Sequence, residues 1–446
     1  MQQPNFSELR RYEYPLLDEE DQTYVDNTGS ALIPASLVEG YEEFLSSALY
    51  GNPHSDSVAS QRSTDAVEKT RADVLAYLNA DPAEYDLIFT PNASGALAII
   101  AESLVWDRDT SLVVSKDNHN SVHGMQPLAI SAGATVDYWG LDSELRLQES
   151  PEDIVQRQTR RNIVCVLPPK SNFSGVFHPV AEYVHVLQES GVTVILDSAA
   201  DLAERQPDLS KVKPDALCIS FYKIFGFSTG VGALVIKKTL LEKFRRKRYA
   251  GGTVRFADGT ARHILHSGHE GFEDGTPNFL GIPAVSAGLD FIEQKAGGMK
   301  AIGRHVNALT ATALERLGDI ENVRIFGPQD MTARGATIAF AVYDARGNPV
   351  PSRTFSEAAK KKGISYRAGS CFCNPGAGIA AQDITDTRLD ELYRELLTKG
   401  RHEVDMPEAL RISFGPHNTR ADIAKTVTFF RGVARRALRA TGSRSR

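Results

Sequence analysis

From about Asp86 to Leu234 the chain alternates short apolar runs with amphipathic stretches. The run LIFT (87–90) precedes a helical stretch from Ser94, SLVVS (111–115) one from Ser121, and NIVCVLP (162–168) one from Val180. VTVILD (192–197), ALCIS (216–220) and GALVI (232–236) follow. Short β-rich runs separated by helical stretches predict βαβ units and a mainly parallel sheet. In such a sheet polar functional groups gather where the strands end. After about Gly281 the pattern changes. Long helical stretches (282–294, 304–317, 383–398 and 420–439) surround a few strands, VRIFG, ATIAFAVY and LRISF. The expected organisation is an N-terminal arm (1–23), a large α/β domain (24–283) and a smaller α+β C-terminal domain (284–446) against which the arm can pack.

Composition narrows the function. With 446 residues, 42% hydrophobic and 24% charged, the chain has ordinary globular values, which exclude coiled coil, collagen and wholesale disorder. The 50 Lys and Arg against 56 Asp and Glu leave a net charge of −6, which argues against nucleic acid as the main partner. No apolar run approaches the roughly 18 residues of a membrane helix, and the charged N-terminus has no signal core, so a cytoplasmic protein off the membrane is expected. Four cysteines (165, 218, 371 and 373) are too few for a disulfide framework and fit a reducing compartment. Two basic runs, 237–248 and 431–446, read as a solvated helix face and a chain end.

Two residues at strand ends carry candidate chemistry. Asp197 ends VTVIL, and Lys223 follows ALCIS in SFYKIFG. Lysine can form a Schiff base, and aspartate can pair with a protonated pyridine nitrogen, two things a protein supplies to pyridoxal phosphate (PLP). The plainer alternative is a helix-capping Asp and a solvated Lys. TPNASGALAI (90–99) places a small polar turn before a helix, where free N–H groups suit a phosphate, and Ser220 can add a hydroxyl. His119, after SLVVS, can stack on a ring and move protons. CFCNPGAG puts Cys371 and Cys373 in a Gly/Pro-rich loop expected to be mobile, whereas Cys165 and Cys218 lie inside strand patterns and are expected to be buried and inert. Two clustered cysteines fall short of a zinc site, so no metal is expected.

Together these stretches resemble the class V aminotransferase family of fold-type I PLP enzymes, above all the cysteine desulfurases and the desulfurase domain of molybdenum cofactor sulfurases. The resemblance rests on YVDNTGSAL (24–32), GNPHS (51–55), DNHNSVHGM (117–125), SNFSGV (171–176), SFYKIFGFSTGVGAL (220–234), GGTV (251–254), FEDGTPNFLGI (272–282), CFCNPGA (371–377) and LRISFG (410–415). It implies Lys223 as the Schiff-base lysine, Asp197 on the pyridinium nitrogen and His119 over the ring. Ala93, Ser94, Ser220 and Tyr222 would hold the phosphate, and Asn172 would sit near the phenolic oxygen and the substrate. Thr253 would reach the phosphate of a neighbouring subunit, which implies a homodimer. Arg411 would fork the carboxylate of a small amino-acid substrate, with Arg367 and His54 as further candidates. Cys373 would take sulfur from L-cysteine as a persulfide and pass it to an acceptor, leaving alanine.

Three positions depart from the family pattern. Gly378 stands where the sulfurases usually have another Cys, RAGSCFC carries one residue more than the usual spacing, and Ala200 replaces a Gln that supports the PLP oxygen in many desulfurases. Only 35 residues follow Arg411, so the additional domain that receives the molybdenum cofactor is not expected in this chain. The competing expectation is a PLP-dependent lyase, aminotransferase, or decarboxylating or C–C bond-forming enzyme of specialised metabolism, because one scaffold supports all of these.

Overall fold

A computed structural model describes residues 4–53, 55–400, 403–404 and 406–440. Its centre is a seven-stranded sheet built from β1 (Tyr85–Thr90), β2 (Thr110–Ser115), β3 (Thr135–Trp139), β4 (Asn162–Leu167), β5 (Thr193–Asp197), β6 (Ala216–Ser220) and β7 (Gly232–Lys237). The spatial order is β1-β7-β6-β5-β4-β2-β3, and only β7 runs against its neighbours. The apolar runs of the sequence are these strands. They read as continuous rather than alternating because both faces are covered. Along β2, β4 and β5 successive side chains divide between two cores: Val113, Cys165, Leu167, Val194 and Leu196 pack on one face, Leu112, Val114, Val164, Val166 and Ile195 on the other. The strand β3 was not legible as an apolar run. It is an edge strand, mostly unburied apart from Trp139, and such a strand needs no apolar run.

The reversed strand β7 matters for the site. Antiparallel neighbours are joined by a short connection rather than a crossover. The turn from β6 into β7 therefore stays at the carboxyl end of the parallel strands, and it carries the short helix Tyr222–Phe225. Gly226 closes that helix with φ +82°, and a Cβ there would lie 2.5–2.6 Å from the backbone of Leu32 and Ile33. Only glycine lets the N-terminal segment pass this close.

The C-terminal unit is a four-stranded antiparallel sheet of β8 (Val323–Ile325), β9 (Thr337–Val342), β10 (Arg367–Gly369) and β11 (Ala409–Ser413), in the order β8-β9-β11-β10. Helices Met299–Gly318 and Arg420–Ala440 pack against each other beside it. The N-terminal arm joins this unit. Arg10 of helix Phe6–Glu13 reaches Asp422 and the His417 carbonyl, both at 3.0 Å, and Thr23–Tyr24 pairs in parallel with Ile364–Ser365. The expected helix 282–294 is Ala284–Asp290 continued by a wider π turn, Phe291–Lys295. Among the described residues no helix is long and apolar enough to cross a membrane.

Candidate active site

A cavity of about 130 Å³ opens at the carboxyl ends of β4, β5 and β6. Ala93, Ser94, His119, Asn172, Asp197, Ser220, Tyr222 and Lys223 all line it, residues drawn from five separate stretches of the chain. Asp197 and Lys223 line one cavity because β5 and β6 are parallel neighbours, Asp197 at the end of β5 lying opposite Cys218, two residues before the end of β6. Burial pushes the Asp197 carboxyl up from its ordinary range, and Lys223 partly offsets that. Burial likewise pushes the Lys223 ammonium down, with Asp197 opposing. The one hydrogen bond to the Asp197 side chain, among the described residues, comes from the Ala199 N–H at 3.1 Å.

Helix Ala93–Ser103 starts on the cavity wall, capped by Asn92, whose side-chain oxygen accepts from the Gly95 N–H at 3.0 Å. The Ser220 hydroxyl accepts from the Ala93 N–H at 2.9 Å, so the end of β6 is tied to this helix start. Ser94 Oγ lies 2.6 Å from Ser121 Oγ, which lies 2.9 Å from His119 Nδ1. The Ser121 N–H also donates to that nitrogen, at 3.1 Å. His119 Nδ1 is therefore an acceptor, and the ring proton of the neutral imidazole sits on Nε2. The His119 pKa is lowered to about 4, first by burial and then by Lys223, His123 and Arg411, so the ring is neutral at pH 7.

The CFC loop, expected to be mobile from its Gly and Pro content, is tied to the site by hydrogen bonds in the structure. Phe372 and Cys373 both sit in the left-handed region, with φ +50° and +60°, and three asparagines hold them there. Asn172 Nδ2 donates to the Phe372 carbonyl (2.9 Å), and the Asn120 N–H to the Cys373 carbonyl (2.7 Å). Asn374, fully buried, donates from Nδ2 to Asp117 Oδ1 (2.8 Å), the Asp117 carbonyl (3.2 Å) and Asn172 Oδ1 (2.9 Å). Its Oδ1 caps helix Pro375–Ala381. Asp117 is itself fixed by the Ser171 hydroxyl and His178 Nε2, each at 2.7 Å. The thiol loop is thus bonded to the turn that carries His119 and to Asn172 of the cavity wall. Cys373 is exposed and Cys371 half-buried. Gly378 has a local reason: a Cβ there would lie 2.9 Å from the Cα, Cβ and Sγ of Cys371. Cys165 and Cys218 are fully buried, and burial raises both thiols, Cys165 to about 12.

The arginine candidates stand outside the cavity lining. Arg367 and Arg411 face each other across β10 and β11, and Asp26 bridges them, 2.6 Å from Arg367 Nη2 and 3.2 Å from Arg411 Nη2. Arg411 is buried; its Nη1 donates to the Asn172 carbonyl at 2.8 Å, and its Nε is buried with no protein acceptor among the described residues. Arg367 is half-exposed. Thr253 is fully buried within its own loop, its hydroxyl 2.9 Å from both the carbonyl oxygen and the N–H of Ala250, and it does not line the cavity of its own chain. His54 lies outside the described residues. Sequence reasoning missed Asn92, Ser121 and Lys170 on the cavity wall and Asp26 at the arginines. These are polar residues outside the apolar strand runs, Ser121 in the short helix Asn120–His123.

The residues present fit PLP, the group that the resemblance implies. A buried carboxylate with a single backbone donor can take a pyridinium N–H, a helix start with Ser94 and Ser220 can take a phosphate, and a sheltered lysine stands between them.

Comparison with known proteins agrees with this geometry. Residues 23–425 match the family described as aminotransferase class-V. Molybdenum cofactor sulfurase of Solanum lycopersicum is 31% identical over 472 aligned positions, covering 95% of this chain, and the chain spans 57% of that relative's length. The apo cysteine desulfurase of Thermococcus onnurineus shares the fold at a TM-score of 0.82 and 23% identity, over 98% of this chain and 100% of that one. The Escherichia coli cysteine desulfurase CsdA does so at 0.79 and 23%, over 97% and 99%. By a match that runs from the first strand of the arm into the last helix, the chain belongs to the class V aminotransferase family.

Proposed function

We propose that this chain is a PLP-dependent, cysteine desulfurase-like sulfurtransferase, which cleaves the C–S bond of L-cysteine, releases alanine and leaves a persulfide on Cys373. The observation that carries this reading is the bonding of the Cys373 loop to Asn172 and Asn120, on the rim of the cavity that holds Lys223 and Asp197. The names of its relatives support it, since both sulfurases and desulfurases move sulfur.

When bound, PLP supplies an electron sink for bonds at the α-carbon of an amino acid. The chain supplies the rest. Lys223 would hold the cofactor and its amine could carry a proton to or from the α-carbon. Asp197 would hold a protonated ring nitrogen. Neutral His119 would lie against the ring, and the start of helix Ala93–Ser103 with Ser94 and Ser220 would hold the phosphate. Arg411 meets the substrate carboxylate, which gives its unpaired Nε–H an acceptor. The Cys373 thiolate attacks the substrate sulfur, the C–S bond breaks with its electron pair going to carbon, and that carbon takes a proton. The balance is L-cysteine plus Cys373–SH giving L-alanine plus Cys373–S–SH. The persulfide then goes to an acceptor at the exposed rim. The assembly is a cytoplasmic homodimer, and Thr253, fully buried here, reaches a partner's phosphate only once its loop opens on assembly.

The test is incubation of the purified, PLP-loaded protein with L-cysteine. The wild type should be yellow, bleach with borohydride and release alanine. Cys373→Ser should keep the colour and the response of its band to L-cysteine but release no alanine, and Cys371→Ser should cost less. A Cys373→Ser protein that turns over at the wild-type rate would remove sulfur transfer and leave a lyase or aminotransferase of the same fold. A colourless protein that takes up no PLP would remove the cofactor.

A further inference from the structure

Lys170 is the charged residue of the cavity wall that the chemistry above leaves unused. It follows β4, is 1% exposed, and lines the same cavity as Lys223, Asp197 and Ala200. Its ammonium is ion-paired with Glu204, itself 6% exposed. Glu204 is gripped from the other unit of the chain: its Oε2 accepts the Ala336 N–H, just before β9, at 2.8 Å. The pair is therefore held from both sides and cannot swing into solvent.

Burying two charges costs desolvation that apolar side chains would avoid, so such a pair is poor evidence for stability alone. An ammonium has three N–H donors, and among the described residues the Glu204 carboxylate is its one hydrogen-bond acceptor. A buried cation with donors to spare, on the wall of a small cavity, is suited to an anionic oxygen of a ligand. On this wall Ala200 offers only a methyl group. The other charges acting on Lys223 are Asp197 and Cys373, which favour its protonated form, and Arg411, which opposes it together with Lys170. Asp201 stands beside Lys170, raised to about 7 by burial.

We propose that Lys170 is a second working lysine of this site: its ammonium, steered by Glu204, donates to the anionic ring oxygen of bound PLP, and before the cofactor arrives it favours neutral, nucleophilic Lys223 by like-charge repulsion. The first half rests on the PLP reading; the second does not.

Both halves predict the same sign. Removing the cation should raise the pH at which Lys223 gives up its proton, free or joined to the cofactor. Lys170→Gln alone would strand a buried carboxylate, so the informative variant is Lys170→Gln with Glu204→Gln, a neutral pair that can still hydrogen-bond. Lys170→Arg keeps the charge. In cofactor-free protein, the pH midpoint of Lys223 acetylation by acetic anhydride is read by peptide mass spectrometry. In PLP-loaded protein, the pH midpoint of the visible band is read by absorbance. The double variant should shift both midpoints upward by about half to one pH unit, and Lys170→Arg should restore the wild-type values. Midpoints within about 0.2 unit of wild type in the double variant, against the about one unit a nearby buried charge produces, would overturn the proposal whatever its melting temperature does. A wild type with no visible band would instead sink the PLP reading, and the acetylation series would still decide the repulsion.

Discussion

Asn374→Ala removes the side chain that ties the Cys373 loop to the cavity. Three of its hydrogen bonds are donated and one accepted, all from a fully buried position. The bond to the Asp117 carboxylate is worth about 1.5–3 kcal/mol, the bond to Asn172 about 1 kcal/mol and the helix cap about 1 kcal/mol. Asp117 keeps Ser171 and His178, so it is not stranded, and water entering the vacated space recovers part of the loss. The remainder is roughly 2–3 kcal/mol, which makes local opening of the loop about 30–150 times more frequent. The Asn120 N–H reports this directly, because its acceptor is the Cys373 carbonyl. Amide exchange at Asn120 should accelerate by that factor, and alanine release should fall while the visible band keeps its intensity. Asn374→Asp should do more, since it sets a second carboxylate against Asp117. Exchange at Asn120 within about threefold of wild type, against a tenfold step for each 1.4 kcal/mol, would refute the reasoning and leave the left-handed turn at Phe372–Cys373 as the loop's own preference.

Arg411→Ala should weaken amino-acid binding by about 1.5–3 kcal/mol with PLP binding unchanged, measured by titrating the visible band with substrate; normal binding would reassign the carboxylate to Arg367. Acid should destabilise the fold through His417, fully buried, its pKa lowered to about 3 by burial, with its Nδ1 lacking a partner among the described residues. Its folded pKa lies below the unfolded value of about 6.5, so the unfolded chain takes the proton first as pH falls. The contribution is intact above about pH 6.5 and is lost toward pH 3 at up to about 1.4 kcal/mol per unit. Urea unfolding at pH 7.5, 6 and 5 should show that slope and a flatter one in His417→Gln; equal slopes would count against it.

The arginines show where sequence reasoning reached its limit. Arg411 was a candidate through the family resemblance, but its electrostatics were not legible. Asp26, 385 residues before Arg411, bridges it and Arg367 and offsets one of their two charges, because the segment after the arm lies beside β11. The bonds that hold the CFC loop were out of reach of the sequence for the same reason. Gly and Pro content describes what the backbone can do alone, whereas Asn120, Asn172 and Asn374 decide what it does in the fold.

The sequence by itself determined six of the seven strands of the central sheet, all but the edge strand β3, and marked two candidate residues near their ends. Strands buried on both faces need unbroken apolar runs, and polar residues at or just after such runs gather at the carboxyl edge, which made Asp197 and Lys223 candidates whose roles the family resemblance then supplied. Tertiary structure alone decided the pairings of Lys170 with Glu204, Asn374 with Asp117 and Asp26 with two arginines. Periodicity records which side of an element faces the core. It holds no information about which loop another loop will meet, and a buried polar group is specified by its partner, here 34 to 385 residues away.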